Sequence, residues 1–279
     1  MNQEAIKQIK KLIDDAEAVV LGTGAGLSTA AGFEYGGDYF LENFKDIYDK
    51  YGYTDMYSAG FHEFLTSEEK WGYWSRFIYL QRYKEGAKPL YKDLLKLIKD
   101  KNYFVITTNV DHQFQLSGFD KNRLFYTQGD YGLFQCHKPC HKKTYDNEEL
   151  VHLMVHQQRN GLIPSQLIPL CPVCGEEMSM NLRSDDTFVQ DDGWYKAATN
   201  YQNFINKYKD KNIVFLELGV GYNTPGIIKY PFIQMTYSFK KAFYVCVNKG
   251  ENYLPKELLD KAIILQEDIA LVVEELLKI

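Results

Sequence analysis

The sequence predicts an α/β protein built on a Rossmann-like, doubly wound parallel sheet with a small zinc-ribbon plus helical module. Short apolar segments recur along the chain and alternate with segments of helical periodicity, which is the pattern of a parallel sheet covered by helices. A glycine-rich turn, GTGAGLS at residues 22–28, directly follows the first apolar segment. Two closely spaced cysteine pairs interrupt the pattern between residues 128 and 192.

The strands of the predicted sheet are short and apolar. The first, at residues 18–21, follows an amphipathic helix that carries Ile6, Ile9 and Ile13 on one face. A helix with Leu90 and Leu94 on its apolar face leads into the second strand. The remaining strands are predicted at Tyr103–Thr107, 124–127, Ile213–Leu218, Ala242–Val247 and Ala262–Leu265.

The amino-acid composition changes along the chain and separates it into three regions. The predicted Rossmann-like domain comprises residues 1–35, 90–127 and 193–279. Residues 36–89 are crowded with Tyr, Phe and Trp at helical spacing and are interpreted as a helical insertion, whereas residues 128–192 form the zinc-ribbon module. Together these segments are expected to make one catalytic domain.

The bulk properties exclude several classes of protein. A net charge of −5 over 279 residues, without a long basic run, argues against nucleic acid as a partner. No apolar segment has the length of a membrane span, and the N-terminal residues lack the apolar core of an export signal. We therefore expect a cytoplasmic protein in which the cysteines, four of the five in two close pairs, indicate metal binding rather than disulfides.

The glycine-rich turn is a candidate phosphate site. Glycines at positions 22, 24 and 26 let the backbone turn tightly and approach a pyrophosphate, and Ser28 opens the following helix. The GxGxG spacing is tighter than the usual GxGxxG. The alternative is a strand-to-helix turn without a ligand.

The cysteine pairs predict a structural zinc site. The thiolates of two such loops can surround one Zn²⁺ tetrahedrally, and a closed four-thiolate site stabilises a module too small for its own core. Three residues, rather than two, separate the first pair, and His137 and His141 adjoin it as possible substitute ligands. Unliganded buried thiols are the alternative, and Cys246 is expected in the core of a strand. The candidate ligands are Cys136, Cys140, Cys171 and Cys174.

Polar residues follow two of the predicted strands, where a doubly wound sheet binds its ligand. Asn109 and Asp111 come after the second strand and Gln128 after the third. The Asn109 amide can both donate and accept, which suits a carboxamide or a ribose hydroxyl. Asp111 could instead serve only as the N-cap of a helix at 113–117.

Together these motifs resemble those of the sirtuin (Sir2-like) family over nearly the whole chain. GAGLS at 24–28 is similar to the sirtuin GAGxS loop, TNVD at 108–111 to QNxD, LRSD at 182–185 to LRPD, and Val247-Asn248 to the IN pair that holds the adenosine ribose. The resemblance implies NAD as co-substrate and structural Zn²⁺, with Asn109, Asp111 and Gln128 as catalytic residues. The residues that it assigns to NAD are Gly24, Ala25, Gly26, Ser28, Phe33, Tyr35, Gly219, Asn248 and Asp268.

Two departures from ordinary deacylating sirtuins indicate a different activity. The glycine loop continues as Phe33-Glu34-Tyr35 without the usual arginine, and Gln128 stands where the family has a histidine base. Both features resemble the macrodomain-linked (class M) sirtuins, which are protein ADP-ribosyltransferases. That resemblance implies a lipoylated, glycine-cleavage H-like carrier protein as acceptor and an operon macrodomain hydrolase as functional partner. A lysine deacylase and a catalytically silent NAD-binding protein are the alternatives.

Overall fold

The structure is a computed structural model that describes residues 2–250 and 252–279. Its helices are α1 (Gln3–Asp15), α2 (Ala25–Ala30), α3 (Gly37–Tyr51), α4 (Met56–Gly60), α5 (Ser67–Ile78), α6 (Pro89–Ile98), α7 (Gln113–Leu116), α8 (Glu148–Gln157), α9 (Asp192–Tyr208), α10 (Lys229–Ser238) and α11 (Ile269–Lys278). Its strands are β1 (Ala18–Thr23), β2 (Tyr103–Thr107), β3 (Leu124–Tyr126), β4 (Gly129–Cys136), β5 (Tyr145–Asp146), β6 (Met178–Leu182), β7 (Ile213–Leu218), β8 (Ala242–Val247) and β9 (Ala262–Leu265). Each helix in the described ranges is too short or too polar to cross a bilayer.

The chain forms two compact units. One, the sheet unit, comprises Met1–Gly32, Ala87–Gln128 and Asp192–Ile279. The other, the small unit, comprises Phe33–Gly86 and Gly129–Asp191. Both units are therefore assembled from segments that are distant in the sequence.

The sheet unit contains a six-stranded parallel sheet in the order β3-β2-β1-β7-β8-β9. This is the strand order of a Rossmann fold, and it confirms the predicted fold class. β1 lies at the centre, with Val20 paired to Phe104 on one side and to Phe215 on the other. Every residue of β1 is buried, which explains why its sequence is continuously apolar up to the glycines.

Helices cover both faces of this sheet. On one face, Val19 and Leu21 of β1 join a core that includes Ile9 of α1, Leu94 of α6 and Val272 of α11. The opposite face of β1 packs into a second core to which α9 and α10 contribute Ile205 and Phe232. Alternate strand residues therefore enter different cores, as expected for a strand buried on both sides.

The small unit combines the helical insertion with the cysteine-bearing segment. β4 pairs antiparallel with β5 and β6, and α5 packs against α8. One core contains Trp71 from α5, Phe134 from β4 and Met154 from α8, with the rings of Trp71 and Phe134 4.9 Å apart. The helix α8, which the sequence analysis did not identify, completes this core. The two segments therefore stabilise one another.

A partly exposed ion pair also holds the insertion together. Arg76 of α5 donates two hydrogen bonds of 2.8 Å to the two carboxylate oxygens of Asp46 on α3, and its guanidinium lies 4.8 Å from the ring centroid of Phe44. This bidentate geometry restricts the angle between the two helices. α3 bends at Phe44, where the backbone leaves helical geometry (φ −136°).

Candidate active site

The candidate site lies at the carboxyl ends of the central strands of the sheet unit. The strand order reverses between β1 and β7, and the loops that follow these two strands meet there. In doubly wound sheets this switch point is where nucleotide ligands bind.

The glycine loop after β1 packs directly on the loop after β7. A Cβ atom at Gly24 would lie 2.8 Å from the carbonyl oxygen of Gly219, and one at Gly26 would lie 2.7 Å from the Cα of Gly219. Gly219 itself has a φ of 66°, which favours glycine. These glycines are therefore required by contact between two loops, a reason that the sequence motif alone did not provide.

That contact also decides which backbone donors a ligand can reach. The N–H of Gly26 donates to Gly219 O at 2.9 Å, so it is already engaged. The N–H of Ala25, at the start of α2, has no acceptor among the residues that the structure describes, and Ala25 is exposed. Ala25 therefore offers the loop's available donor for an anionic group.

Four buried polar side chains form a hydrogen-bonded chain next to this loop. Ser28 Oγ donates to Asp111 Oδ2 at 2.6 Å, and the hydroxyl of Tyr91 donates to the same oxygen at 3.1 Å. Asn109 Nδ2 in turn donates to the Tyr91 hydroxyl at 3.4 Å. The structure thus brings Ser28, Asn109 and Asp111 together.

Tyr91 is the member of this group that the sequence analysis did not identify. It lies among leucines on the buried face of α6. A tyrosine at a buried, otherwise apolar position needs a partner for its hydroxyl, and this was the feature of the sequence that could have indicated its role. Burial, reinforced by the charge of Asp111, raises the pKa of Tyr91 well above its usual value. Tyr91 therefore remains a neutral donor that holds the Asp111 carboxylate in place.

The predicted capping role of Asp111 is realised in a modified form. The N-cap position of α7 is occupied by His112, in a left-handed conformation with φ 62°. Asp111 Oδ1 accepts a hydrogen bond from the N–H of Gln113 at 3.0 Å. Asp111, one residue before the N-cap position, therefore satisfies a backbone donor of the first turn of α7. Asp111 thus combines this local bond with those from Ser28 and Tyr91.

Two amide side chains retain unused hydrogen-bonding capacity. Gln128 follows β3, is half-buried, and makes no side-chain hydrogen bond to the described parts of the chain. Asn109 lies two residues after the end of β2, and within the described structure its side chain bonds only through Nδ2, so its Oδ1 oxygen is available. These are the groups through which the site could contact a bound molecule.

The other residues assigned to NAD occupy separate positions. Asn248 follows β8, and its Nδ2 donates to Val220 O at 3.4 Å, beside Gly219. Asp268 caps α11 by accepting from the N–H groups of Ala270 and Leu271, and it pairs with Lys249 at 2.7 Å. Phe33 and Tyr35 belong to the small unit.

A buried ionic network lies below the β7 loop. Lys229 of α10 pairs with Glu217 of β7, and Tyr244 donates to the second oxygen of that carboxylate at 2.7 Å. Cys246 is fully buried beside them, and burial together with the charge of Glu217 raises its thiol pKa to about 12. Cys246 is therefore a neutral core thiol, as predicted.

The four predicted metal ligands converge in the small unit. The Sγ atoms of Cys136, Cys140, Cys171 and Cys174 all lie within 4.8 Å of one another. Cys136 and Cys174 are 3.6 Å apart and Cys140 and Cys171 3.7 Å, close to the ~3.8 Å edge of a tetrahedron with 2.3 Å zinc–sulfur bonds. The cluster therefore fits a structural zinc ion.

The protein environment acts differently on the thiols of the cluster. Although burial opposes the charged form, hydrogen bonds from the backbone N–H groups of Cys174 and Val173 lower the pKa of Cys171 to about 6, whereas burial and the neighbouring cysteines raise the pKa of Cys140 to about 12. His141 Nε2 lies 2.8 Å from the hydroxyl of Tyr145 and 3.8 Å from the Sγ of Cys171, and His137 lines a cavity elsewhere in the unit. Among the described residues, the four cysteine sulfur atoms are the group that could hold one metal ion.

Comparison with known structures identifies the fold. The structure of Sir2Tm bound to a propionylated peptide is similar to this chain with a TM-score of 0.63 and 19% identity, covering 98% of this chain and 97% of that one. A Sir2 complex with a p53 peptide and NAD⁺ is similar with a TM-score of 0.59 and 18% identity, over 98% and 97% of the two chains. The chain therefore has the sirtuin fold.

Comparison with proteins of similar sequence places the chain more narrowly than the fold does. No protein-family model matches the chain. A protein ADP-ribosyltransferase of Staphylococcus aureus (strain Mu50) is 36% identical over 271 residues, which is 97% of this chain and 86% of that protein. A probable bifunctional ADP-ribose hydrolase/ADP-ribosyltransferase of Fusarium oxysporum f. sp. cubense is 32% identical over 240 residues, 82% of this chain but only 40% of that longer protein. The chain belongs to the family of sirtuin-fold proteins that includes the Staphylococcus aureus protein ADP-ribosyltransferase.

Proposed function

We propose that this protein transfers ADP-ribose from NAD⁺ to a protein acceptor and releases nicotinamide. The observation that carries the proposal is the 36% identity, over almost the whole chain, to a protein ADP-ribosyltransferase. The polar site at the Rossmann switch point supplies the matching chemistry. A new bond forms between the acceptor and the anomeric carbon as the nicotinamide–ribose bond breaks, so no oxidant or reductant is needed.

Different residues of the site contact different groups of the substrate in this proposal. Loss of nicotinamide develops positive charge at the anomeric carbon, as in glycoside cleavage. The N–H of Ala25 is available for the pyrophosphate, and the free Oδ1 of Asn109 for a carboxamide or a ribose hydroxyl. Asp111, held by Ser28 and Tyr91, places a fixed negative charge beside these groups.

Gln128 is the residue that distinguishes the proposed ADP-ribosyl transfer from deacylation. A neutral amide can orient a ribose hydroxyl but cannot accept its proton near neutral pH. If the acceptor atom is a carboxylate, it has no proton to lose, and the enzyme needs no base. A glutamine is therefore compatible with transfer and poorly suited to the base-dependent steps of deacylation.

The acceptor and a functional partner follow from the class M resemblance. We infer a lipoylated, glycine-cleavage H-like carrier protein as the acceptor and a separate macrodomain hydrolase that removes the modification. The Fusarium relative supports the second inference, because its name combines an ADP-ribose hydrolase with the transferase in one longer protein.

The four-cysteine cluster has a structural role in this proposal. Cys136, Cys140, Cys171 and Cys174 would hold one Zn²⁺, whose closed coordination stabilises the fold of the small unit. It leaves no open position for a substrate, so the chemistry belongs to the sheet unit.

The test is mass spectrometry of a lipoylated H-like carrier after incubation with enzyme and NAD⁺. We expect the mass of ADP-ribose on the carrier and free nicotinamide. Gln128→Ala should reduce transfer by roughly 10²–10³, the effect of one lost oriented hydrogen bond in a catalytic site. Its fold should be unchanged, because the Gln128 side chain has no hydrogen bond in the described structure.

The matched control is Gln202→Ala, which removes an exposed glutamine on α9 and should leave transfer unchanged. An acetylated-peptide assay is run in parallel. Efficient deacetylation without transfer to the carrier would contradict the proposal and favour the deacylase. Release of no nicotinamide with any acceptor would favour a silent NAD-binding protein.

A further inference from the structure

A lysine is buried beneath the loops that follow β7 and β8, and the proposed transfer chemistry does not use it. Lys229 of α10 and Glu217 of β7 are both fully buried and form an ion pair. Burying two charges costs free energy even when they are paired, and the cost is offset only where further hydrogen bonds satisfy the remaining donors. The other N–H groups of the Lys229 ammonium therefore need acceptors of their own.

One such acceptor comes from the loop after β8, of which the structure describes residues 248–250 and 252–254. Lys229 Nζ donates to Oδ1 of Asn252 at 3.3 Å, and Asn252 Nδ2 donates to the carbonyl oxygen of Gly250 at 3.0 Å. An ammonium group has three donors, and a carboxamide oxygen can accept from one of them. The buried charge therefore holds one side chain of a loop that has no regular secondary structure in its described part.

The loop after β7 contacts the same ammonium group. Lys229 Nζ lies 5.2 Å from the ring centroid of Tyr222, within the range of a cation–π contact, and the Tyr222 hydroxyl accepts from the N–H of Tyr253 at 2.7 Å. The two loops also meet where Asn248 Nδ2 donates to the carbonyl oxygen of Val220. One buried charge is therefore in contact with both loops.

These loops lie on the half of the sheet edge opposite to the residues of the proposed chemistry. A dinucleotide bound at a Rossmann switch point places one mononucleotide on each side of it. Asn109 and Gln128 follow β2 and β3, on one side of β1, whereas the loops in contact with Lys229 follow β7 and β8, on the other side. With the nicotinamide end at Asn109 and Gln128, the adenosine end lies at the loops after β7 and β8.

We propose that Lys229 is a positioning residue for NAD⁺, which through Asn252 holds the loop after β8 in the conformation that receives the adenosine end of the dinucleotide. Lys229 acts through this loop and touches no substrate atom itself. Glu217 supplies the negative charge that keeps the ammonium group in place. This inference rests on the proposed use of NAD⁺, and it gives a role to a buried ion pair that the transfer chemistry leaves unused.

The contact between Lys229 and Asn252 is tested by calorimetry with NAD⁺ and with ADP-ribose, which lacks nicotinamide. Asn252→Ala removes the acceptor, and we expect both ligands to bind roughly five- to ten-fold more weakly, because Kd rises as the fraction of molecules with a binding-competent loop falls. Asn252→Asp keeps an acceptor for the ammonium group and should retain the parent affinity. An unchanged Kd in Asn252→Ala, an equal loss in Asn252→Asp, or a loss for NAD⁺ but not for ADP-ribose would overturn the proposal.

A variant without the ion pair tests whether Lys229 and Asn252 act together. Lys229→Met combined with Glu217→Gln removes both charges, whereas replacing Lys229 alone would leave an unpaired carboxylate in the core. We expect the double variant to lose as much affinity for ADP-ribose as Asn252→Ala does. Adding Asn252→Ala to the double variant should cause no further loss, because the acceptor has already lost its donor. Losses that multiply in the triple variant would contradict the coupling between the two residues.

Tyr244→Phe is the control for a loss of stability alone. It removes a 2.7 Å hydrogen bond to the other oxygen of the Glu217 carboxylate and leaves the contact between Lys229 and Asn252 in place. The Tm should therefore decrease while the Kd for ADP-ribose stays at the parent value. An equal rise of Kd in Tyr244→Phe and Asn252→Ala would reduce the effect to lost stability and overturn the positioning role.

Kinetics separate positioning of NAD⁺ from chemistry. In transfer assays Asn252→Ala should raise KM for NAD⁺ and leave kcat at saturating NAD⁺ unchanged, because the polar residues after β2 and β3 are not altered. A decrease in kcat with KM unchanged would overturn the proposal. The calorimetric comparison needs no acceptor, so it decides this inference even if transfer to the carrier protein fails.

Discussion

The hydroxyl of Tyr91 offers a sharp test of how the candidate site is held. Tyr91→Phe deletes a donor 3.1 Å from the buried carboxylate of Asp111 but keeps the ring, which packs edge to face on Phe114 with centroids 4.9 Å apart. No cavity opens, so the hydrogen bond is the main interaction lost. We expect a loss of both stability and transfer activity, for separate reasons.

The loss of stability can be worked from the bonds that remain. A hydrogen bond to a charged group contributes about 1.5–3 kcal/mol to the free energy of unfolding. Asp111 keeps donors from Ser28 and from the Gln113 N–H, so we expect the lower part of this range, about 1.5–2 kcal/mol. For a chain of this size that corresponds to a decrease in Tm of about 3–8 °C.

The loss of activity follows from position rather than from stability. Without the Tyr91 hydroxyl, both Asp111 and the Asn109 amide lose a fixed neighbour. A misplacement of about 1 Å can reduce a rate about 10²-fold, so we expect kcat for transfer to decrease by about 10- to 100-fold. The assay is carried out well below the Tm of the variant, so that both proteins are fully folded.

Tyr244→Phe is the matched control. The Tyr244 hydroxyl is equally buried and donates to the Glu217 carboxylate at 2.7 Å, but it belongs to the network under β7. We expect a similar decrease in Tm with transfer activity largely retained. Unchanged kcat in Tyr91→Phe, or an equal loss of activity in both variants, would refute the assignment of Tyr91 as a positioning residue.

Three further predictions concern metal, backbone packing and pH. The purified protein should contain about one equivalent of zinc by elemental analysis; Cys171→Ser should lose it and destabilise the small unit, whereas Cys246→Ala should retain it. Gly26→Ala should weaken NAD⁺ binding in calorimetry because its Cβ would meet the β7 loop at 2.7 Å, whereas Gly221→Ala, where a Cβ meets nothing within 4 Å, should not; equal effects would contradict the packing argument. An ion pair with a lysine, opposed by partial burial and aided by the capping N–H groups of α11, holds the pKa of Asp268 below its usual value. The charge of Asp268 therefore stabilises the protein fully above the unfolded-state pKa of about 3.9, and this stabilisation is lost as the pH falls through the lower folded-state pKa. In urea unfolding at pH 7, Asp268→Asn should therefore be less stable than the parent protein. In acid, the difference in the free energy of unfolding between the two proteins should disappear.

The sequence by itself determined the sheet and the order of its site residues. Continuous apolar segments ending in glycine or polar residues are sufficient to predict buried parallel strands, and five of the six were placed to within one residue of their ends. Because parallel strands end at the same edge of a sheet, the sequence predicted that Asn109 and Asp111 follow a strand at the ligand-binding edge, and the structure adds that Ser28 contacts Asp111 there. Cysteine spacing predicted the metal cluster for a similar reason, since few side chains bind metal so specifically.

The tertiary structure decided everything that depends on contacts between distant segments. Tyr91 looks like one more apolar helix position until β2 brings Asp111 to its hydroxyl. The need for glycine at position 26 becomes visible only when Gly219 lies against it. The helical insertion and the cysteine-bearing segment share one core because α8 joins them, a contact that local periodicity does not encode. Local patterns specify elements through backbone geometry and burial, whereas close approach and unpaired charge are properties of the packed chain.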